Sequence, residues 1–466
     1  MKLTLAIDFG STYTKISAFN LEKEELVGTA QARTTVDSSI VIGLQTAMAQ
    51  LEATVRGRYN EFAIERILSS SSAAGGLRMI AIGLTKALTT KAAGEAVLGA
   101  GARLIDTYSH RLGSDDIKEI EERAPDLILL AGGTDGGDEA TIIKNARVLA
   151  QSRVDSPIII AGNKMAATNV QTILRKADKY AVRVENILPE LDRLNIEPAK
   201  NTIREIFLER ITHSKGLDKA QKIVGDIIMP TPLAVLKGAS LLSKGTNNES
   251  ESEKGWGDLL VIDVGGATTD IHSIGYGYPS HGDTILKGLP EPFDKRTVEG
   301  DLGIRYNASS ILEKMEEMEG GIDIKSCVRY VSYVSKHMDH VAQNEEESLM
   351  DMALASKAVE LAVQRHAGRI ENLYFPTGKI NVQYGKDLTA FTRIIGTGGI
   401  LAYGPIPAWV LESACVHSSR PESLCPISPM FFVDKNYILY AAGLLSEIAP
   451  LHALRIMKRY LRAIPD

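Results

Sequence analysis

Two segments 255 positions apart share one pattern, and that pattern limits what this chain can fold into. The first is Asp8-Phe9-Gly10-Ser11-Thr12-Tyr13-Thr14-Lys15, and the second is Asp263-Val264-Gly265-Gly266-Ala267-Thr268-Thr269-Asp270. Each follows a short, mostly apolar run that reads as a buried strand. Each has Asp at the strand end, Gly two residues on, hydroxyl residues in the turn and a second strand-like run behind it. A turn rich in Gly, Ser and Thr aims backbone N–H groups and hydroxyls at phosphate oxygens, and Gly lets the backbone come close. An Asp at a strand end can hold magnesium through water, because that ion keeps much of its hydration shell. Either copy alone reads as an ordinary β-turn. The pair, each opening half of the chain, points to phosphate binding.

The pattern nominates Asp8 and Asp263 for magnesium. It nominates Gly10, Ser11, Thr12, Tyr13 and Lys15, with Gly265, Gly266, Ala267, Thr268 and Thr269, for the phosphates. Lys15 supplies a positive point charge, or faces solvent from a hairpin strand. Asp270 positions the attacking water or the metal, or braces its hairpin. No general base stands out, and Asp135 is a second acid that could orient water. A third element, Phe391–Leu401, reads as a strand entering a Gly-rich turn, Gly396-Thr397-Gly398-Gly399. Such a turn can lie flat against a purine and its ribose.

With 466 residues the chain has room for about three domains, or two large ones. Strands are expected at 3–9, 13–20 and 26–34, with helices at 40–55 and 84–104. From about 115 apolar strands alternate with helices, which means βαβ units and a parallel sheet. Ala131–Gly137 before the Asp138 helix has the form of an anion site, but Asp135, Asp138 and Glu139 would repel phosphate, which favours a tight structural turn. Residues 244–255 read as a polar, flexible linker. The expected organisation is a first lobe over 1–244 with an α/β insertion near 115–190, a linker over 245–257 and a second lobe over 258–466. Residues 307–318 and 345–370 read as helices, as does 436–463, with His452, Arg455, Arg459 and Arg462 on a solvated face.

Composition narrows the function. The net charge of -6 and pI near 5.9 argue against nonspecific nucleic-acid binding, which needs a basic field. No apolar run reaches about 18 residues, so no membrane helix is expected, and Asp8 interrupts the N-terminal apolar run too early for a secretory signal. Cys327, Cys415 and Cys425 form no metal-ligand spacing and suit a reducing cytoplasm. Asp270-Ile271-His272-Ser273-Ile274-Gly275 fits the cobalamin pattern DxHxxG, but it lies inside the second phosphate motif on an expected strand, so the match is read as coincidence. His337 and His340 read as an exposed helix face.

The order of two phosphate loops and an adenosine loop resembles the superfamily of acetate and sugar kinases, heat-shock chaperones and actin. That resemblance implies an α/β fold of two actin-like lobes, each ribonuclease H-like, with ATP or ADP and magnesium in the cleft between them. A closer resemblance rests on Ala6–Lys15, Leu130–Gly137, Asp263–Asp270, Val298-Glu299-Gly300-Asp301-Leu302-Gly303-Ile304-Arg305 and Gly396–Gly399, which look like the glutamate mutase L family. It implies an accessory ATPase that reactivates an adenosylcobalamin-dependent mutase or aminomutase. The partner mutase and the oligomeric state, a homodimer included, stay open. So do a small-molecule kinase and a filament-type ATPase on the same fold. An iron–sulfur activator ATPase would need paired cysteines, for which the three present are poorly placed.

Overall fold

In a computed structural model the chain is described throughout, except residues 11–12, 35–39, 73–76, 212–216, 226, 249–250, 281, 283, 316–323, 376–377 and 465–466. It divides into two units, one of Met1–Gly238, Gly288–Pro292 and Tyr440–Ala453, the other of Ala239–Lys287, Phe293–Leu439 and Leu454–Asp466.

In the first unit the leading segment forms β1 (Lys2–Phe9), β2 (Tyr13–Asn20) and β3 (Glu25–Arg33), an antiparallel meander. β4 (Ala63–Ser71) then runs parallel to β1. A second sheet follows, made of β5 (Arg78–Gly83), β6 (Arg103–Ser109), β7 (Leu127–Leu130), β8 (Ile158–Ile160) and β9 (Ala181–Arg183). β10 (Ile227–Pro230) returns to pair with β4 in parallel, which gives the first sheet the order β10-β4-β1-β2-β3.

The second sheet is parallel throughout, in the order β6-β5-β7-β8-β9. Its central strands are apolar on both faces, as a sheet covered on both sides requires. The two-residue period sends alternate side chains into different cores. Ile80, Ile82, Ile128, Leu130, Ile158 and Ile160 pack into a core of this sheet's own. Met79, Ala81, Leu127, Leu129 and Ile159 pack into the core that also holds Leu5 and Ile7 of β1. The α/β texture expected from about 115 belongs to this sheet, which also takes in β5 and β6.

In the second unit β11 (Gly245–Asn248) and β12 (Glu251–Lys254) form a hairpin. β13 (Leu259–Val264) and β14 (Thr269–Ile274) carry the second motif. β15 (Thr284–Lys287) precedes β16 (Asp294–Glu299), and β17 (Arg369–Phe375) and β18 (Gly378–Tyr384) join β15 in a small sheet. β19 (Arg393–Thr397), β20 (Met430–Val433) and β21 (Arg462–Ala463) complete the main sheet, ordered β16-β14-β13-β19-β20-β21.

Both main sheets therefore share one plan. An antiparallel meander of three strands meets two more strands parallel to its first. This is the ribonuclease H-like order, present twice, as expected for an actin-like α/β protein. The sequence repeat is a repeat of topology.

Several local expectations are corrected. In the polar stretch Gly245–Asn248 pairs with Glu251–Lys254, and Glu253 there accepts hydrogen bonds from Lys458 Nζ at 2.8 Å and Arg455 Nε at 3.4 Å. Arg455, Arg459 and Arg462 are exposed, as a solvated face requires, while the half-buried His452 bonds Glu24 at 3.1 Å. The helix expected over 84–104 begins as a π-turn, Lys86–Thr90, before the α-helix Lys91–Gly99. There Thr89 Oγ1 accepts the N–H groups of Leu84 and Thr85, which shapes the wide first turn. Of the helix expected over 307–318, Ala308–Leu312 is observed, and 316–318 lie outside the described residues.

Candidate functional site

The first hairpin sets Asp8 opposite Lys15 in the β1–β2 register. Its turn closes by a hydrogen bond from the Gly10 N–H to the Tyr13 carbonyl at 3.1 Å. A Cβ on Gly10 would lie 2.5 Å from that carbonyl oxygen, so the turn admits no side chain there. Asp8 is buried, and its Oδ1 accepts from Thr231 Oγ1 at 2.5 Å and Ser70 Oγ at 3.4 Å. Burial pushes the Asp8 carboxyl pKa up, while the Lys15 charge and the two hydroxyls pull it back. Tyr13 and Lys15 are half-buried, and Ser11 and Thr12 lie outside the described residues. Ser70 and Thr231 were not singled out from sequence. Their signals are local: four serines, 69–72, follow Ile67 and Leu68, and Thr231 sits between two prolines at a helix start.

The second hairpin repeats this geometry. Gly265 N–H donates to the Thr268 carbonyl at 2.9 Å, and Asp263 stands opposite Asp270. Asp270 takes the register position of Lys15 but carries the opposite charge. Arg296 compensates it, with Nη2 at 2.6 Å and Nε at 3.0 Å from Oδ1, while Thr268 Oγ1 donates to Oδ2 at 2.9 Å.

The turn is braced by the segment after β16. Ile304 N–H donates to the Gly265 carbonyl at 3.2 Å, and Arg305 N–H to that of Gly266 at 2.9 Å. Asn307 Nδ2 donates to the Ala267 carbonyl at 3.3 Å, and Thr269 Oγ1 to the Leu302 carbonyl at 2.7 Å. The turn's carbonyl oxygens are engaged by this brace, which favours amide dipoles on the other side, the polarity an anion needs. Arg305 is itself fixed by a two-pronged bond to Asp351, at 2.7 and 2.6 Å. The Val298–Arg305 motif thus has a physical task that spacing alone did not reveal.

The third turn packs onto the second. β19 runs parallel to β13 with Thr397 level with Asp263. Gly398 has φ 97°, and a Cβ there would lie 2.3 Å from the Val264 carbonyl oxygen and 3.0 Å from Asp263 Oδ1. Gly399 is exposed, and its Cβ position is 3.5 Å from the Tyr437 hydroxyl. Burial pushes the Tyr437 phenol pKa up, and Tyr403, Asp263 and Asp434 add to the rise. Asp434 N–H bonds the Gly396 carbonyl at 2.9 Å, and its carboxylate caps the helix Leu439–Leu445 through Ile438 and Leu439. Gly265–Asp270 and Gly396–Gly399 thus converge on Asp263 within the second unit, as Ser70, Thr231 and Lys15 surround Asp8 within the first.

The remaining candidates lie in structural settings. Asp135 accepts the Lys164 N–H at 2.9 Å and Asn186 Nδ2 at 2.9 Å. Burial would raise its pKa, but these donors and the Lys164 charge hold it below the usual value. Asn163 and Asn186 bond the backbone of the 133–138 turn, which matches the reading of a tight structural turn. His272 is buried on β14, a strand and not the entry to a helix. Its pKa is pushed down to about 3 by burial and the neighbouring Arg296. His337 and His340 follow the helix Ile324–Val334 and do not share a helix face; His337 stacks on Tyr333 and His340 bonds Glu347 at 2.8 Å.

Among the described residues no three His, Cys, Asp or Glu side chains gather as a metal cage. A hydrated magnesium needs only one or two carboxylates, and a buried Asp8 with one oxygen toward the Gly10 turn fits that demand. No helix among the described residues is long and apolar enough to cross a membrane.

Comparison with solved structures returns similar folds at low identity. The ligand-bound xylulose kinase from Lactobacillus acidophilus is 9% identical, with a TM-score of 0.35 over 100% of this chain and 93% of that one. The activator of 2-hydroxyisocaproyl-CoA dehydratase from Clostridium difficile, solved with ADPNP, is 10% identical, with a TM-score of 0.29 over 100% of each chain. Sequence comparison is more specific. A family model described as MutL protein matches residues 4–461. Protein MutL from Clostridium tetanomorphum is 44% identical over 468 residues, 99% of each chain. The chain belongs to the MutL protein family, the glutamate mutase L proteins.

Proposed function

We propose that this protein binds ATP with magnesium, hydrolyses it, and uses the cycle to reactivate an adenosylcobalamin-dependent mutase or aminomutase by promoting release of damaged cobalamin. The observation that carries the nucleotide reading is the duplicated hairpin. Two Asp-x-Gly turns close by the same hydrogen bond in the same register, and a third Gly turn packs against the second Asp. Family membership supports the link to the mutase.

In this reading Asp8 and Asp263 hold the water shell of the magnesium, which supplies charge neutralisation on the phosphates. Gly10, Ser11, Thr12, Tyr13 and Lys15, with Gly265, Gly266, Ala267, Thr268 and Thr269, contact the phosphates. Gly396, Thr397, Gly398 and Gly399 take the nucleoside. Asp270 orients the attacking water from a carboxylate that Arg296 and Thr268 hold in place. Loss of the γ-phosphate contacts gives two states of different stability, and a bound mutase is acted on through that difference.

The test uses cognate mutase inactivated by turnover. Incubation with this protein, ATP, magnesium and fresh adenosylcobalamin restores mutase activity, and a non-hydrolysable ATP analogue does not. Absence of recovery with ATP would overturn the reactivation reading.

A further inference from the structure

The N-terminal residue of a helix ordinarily turns its hydroxyl onto that helix's own free amides. Thr231, which opens the helix Thr231–Lys244, instead donates its hydroxyl proton to Asp8 Oδ1 at 2.5 Å, with Ser70 Oγ 3.3 Å away. Ser70 Oγ reaches the same Asp8 oxygen at 3.4 Å. The backbone makes this meeting obligatory. Asp8 on β1 is level with Ser70 on β4, and Ser70 is level with Met229 on β10, two residues before Thr231. β1 and β4 thus deliver the carboxylate and the Ser70 hydroxyl, and the helix start after β10 the Thr231 hydroxyl, to one point. Asp8 Oδ2 lies on the other side, 3.7 Å from where a Cβ of Gly10 would be, and so faces the turn.

We infer that Thr231, seconded by Ser70, is a positioning residue for the magnesium-binding carboxylate. The inference rests on the nucleotide reading above. A carboxylate that accepts on Oδ1 has its rotation about Cβ–Cγ fixed, and its second oxygen is held toward the phosphate turn before any ligand arrives. Partners of this kind, one shell out from a metal, typically contribute about 10–100-fold to metal affinity. Both hydroxyls are engaged with Asp8 Oδ1 and with each other, so the expected effect is on the metal.

The experiment measures ADP binding to the full chain by calorimetry, once with magnesium and once with EDTA. In the wild type magnesium tightens ADP binding. In Thr231→Val, which keeps the shape and removes the donor, that tightening falls about tenfold, while affinity in EDTA is unchanged. Thr231→Ser restores it. Ser70→Ala shows the same pattern at smaller size and decides the matter if Thr231→Val does not fold. Full retention of the magnesium effect in both donor-less variants overturns the inference, as does an equal loss with and without metal. A wild type that binds no ADP sinks the nucleotide reading and this inference with it; one that binds ADP indifferently to magnesium leaves nucleotide binding standing and sinks the magnesium assignment and this inference.

Discussion

Asp270 holds in the second hairpin the position that Lys15 holds in the first, opposite the motif's leading Asp in both. The duplicated turns are alike in backbone and opposite in charge. In the second unit the acid is answered from the neighbouring strand by Arg296, whose side chain is 5% exposed against 14% for Asp270. The pair is out of water and hydrogen-bonded, so its members are not independent.

Removing Arg296 leaves Asp270 as an uncompensated buried charge. Arg296→Met lowers stability by about 3–5 kcal/mol. The double variant with Asp270→Asn recovers a substantial part, since the orphaned charge is gone. Denaturant unfolding of the two single variants and the double variant checks this. Additive losses would contradict it.

Lys15 tests the first hairpin. Lys15→Met weakens ATP binding about tenfold, the scale of one charge-assisted hydrogen bond, and leaves the melting temperature close to wild type. An unchanged affinity would mean that Lys15 does not contact the phosphates.

The contact between the second and third turns has no slack. Gly398→Ala sets a Cβ against the Val264 carbonyl at a backbone angle that L residues rarely adopt. The expected loss is about 1–3 kcal/mol of stability, together with loss of nucleotide binding. Thermal unfolding and a fluorescent-nucleotide titration measure the two effects.

Stability falls on the acid side for a defined reason. Burial, with Arg296 beside it, pushes the His272 pKa down to about 3, and burial, with Lys295 and Lys386 near, pushes His366 well below the usual value. The unfolded chain takes up these protons below about pH 6.5 and the folded one does not. Their contribution is therefore complete above that pH and is lost as pH falls. Each histidine accounts for about 1.4 kcal/mol per pH unit, for His272 down to about pH 3. Unfolding free energies at pH 7, 6 and 5 should show this slope, and His272→Leu should remove about half of it.

The parts of the site written in consecutive residues were legible from sequence. The two hairpins and the Gly396–Gly399 turn follow from strand-turn-strand texture within a dozen residues, whereas the repeat of topology was implied only by the family resemblance. What stayed hidden depends on the register between distant strands. Ser70 and Thr231 reach Asp8 across 62 and 223 positions. The 245–254 stretch looked like a linker because the cations that answer Glu253 stand more than 200 positions away. β9 ends at Arg183, and Ile187 and Leu188 beyond it pack into the core shared with β1 rather than extend the strand.

The parallel sheet of β5 to β9 sends Met79, Ala81, Leu127, Leu129 and Ile159 into the core that holds β1. It is therefore welded to the lobe and not hung from it. Anything that grips its outer strands has a rigid handle on the body that carries Asp8.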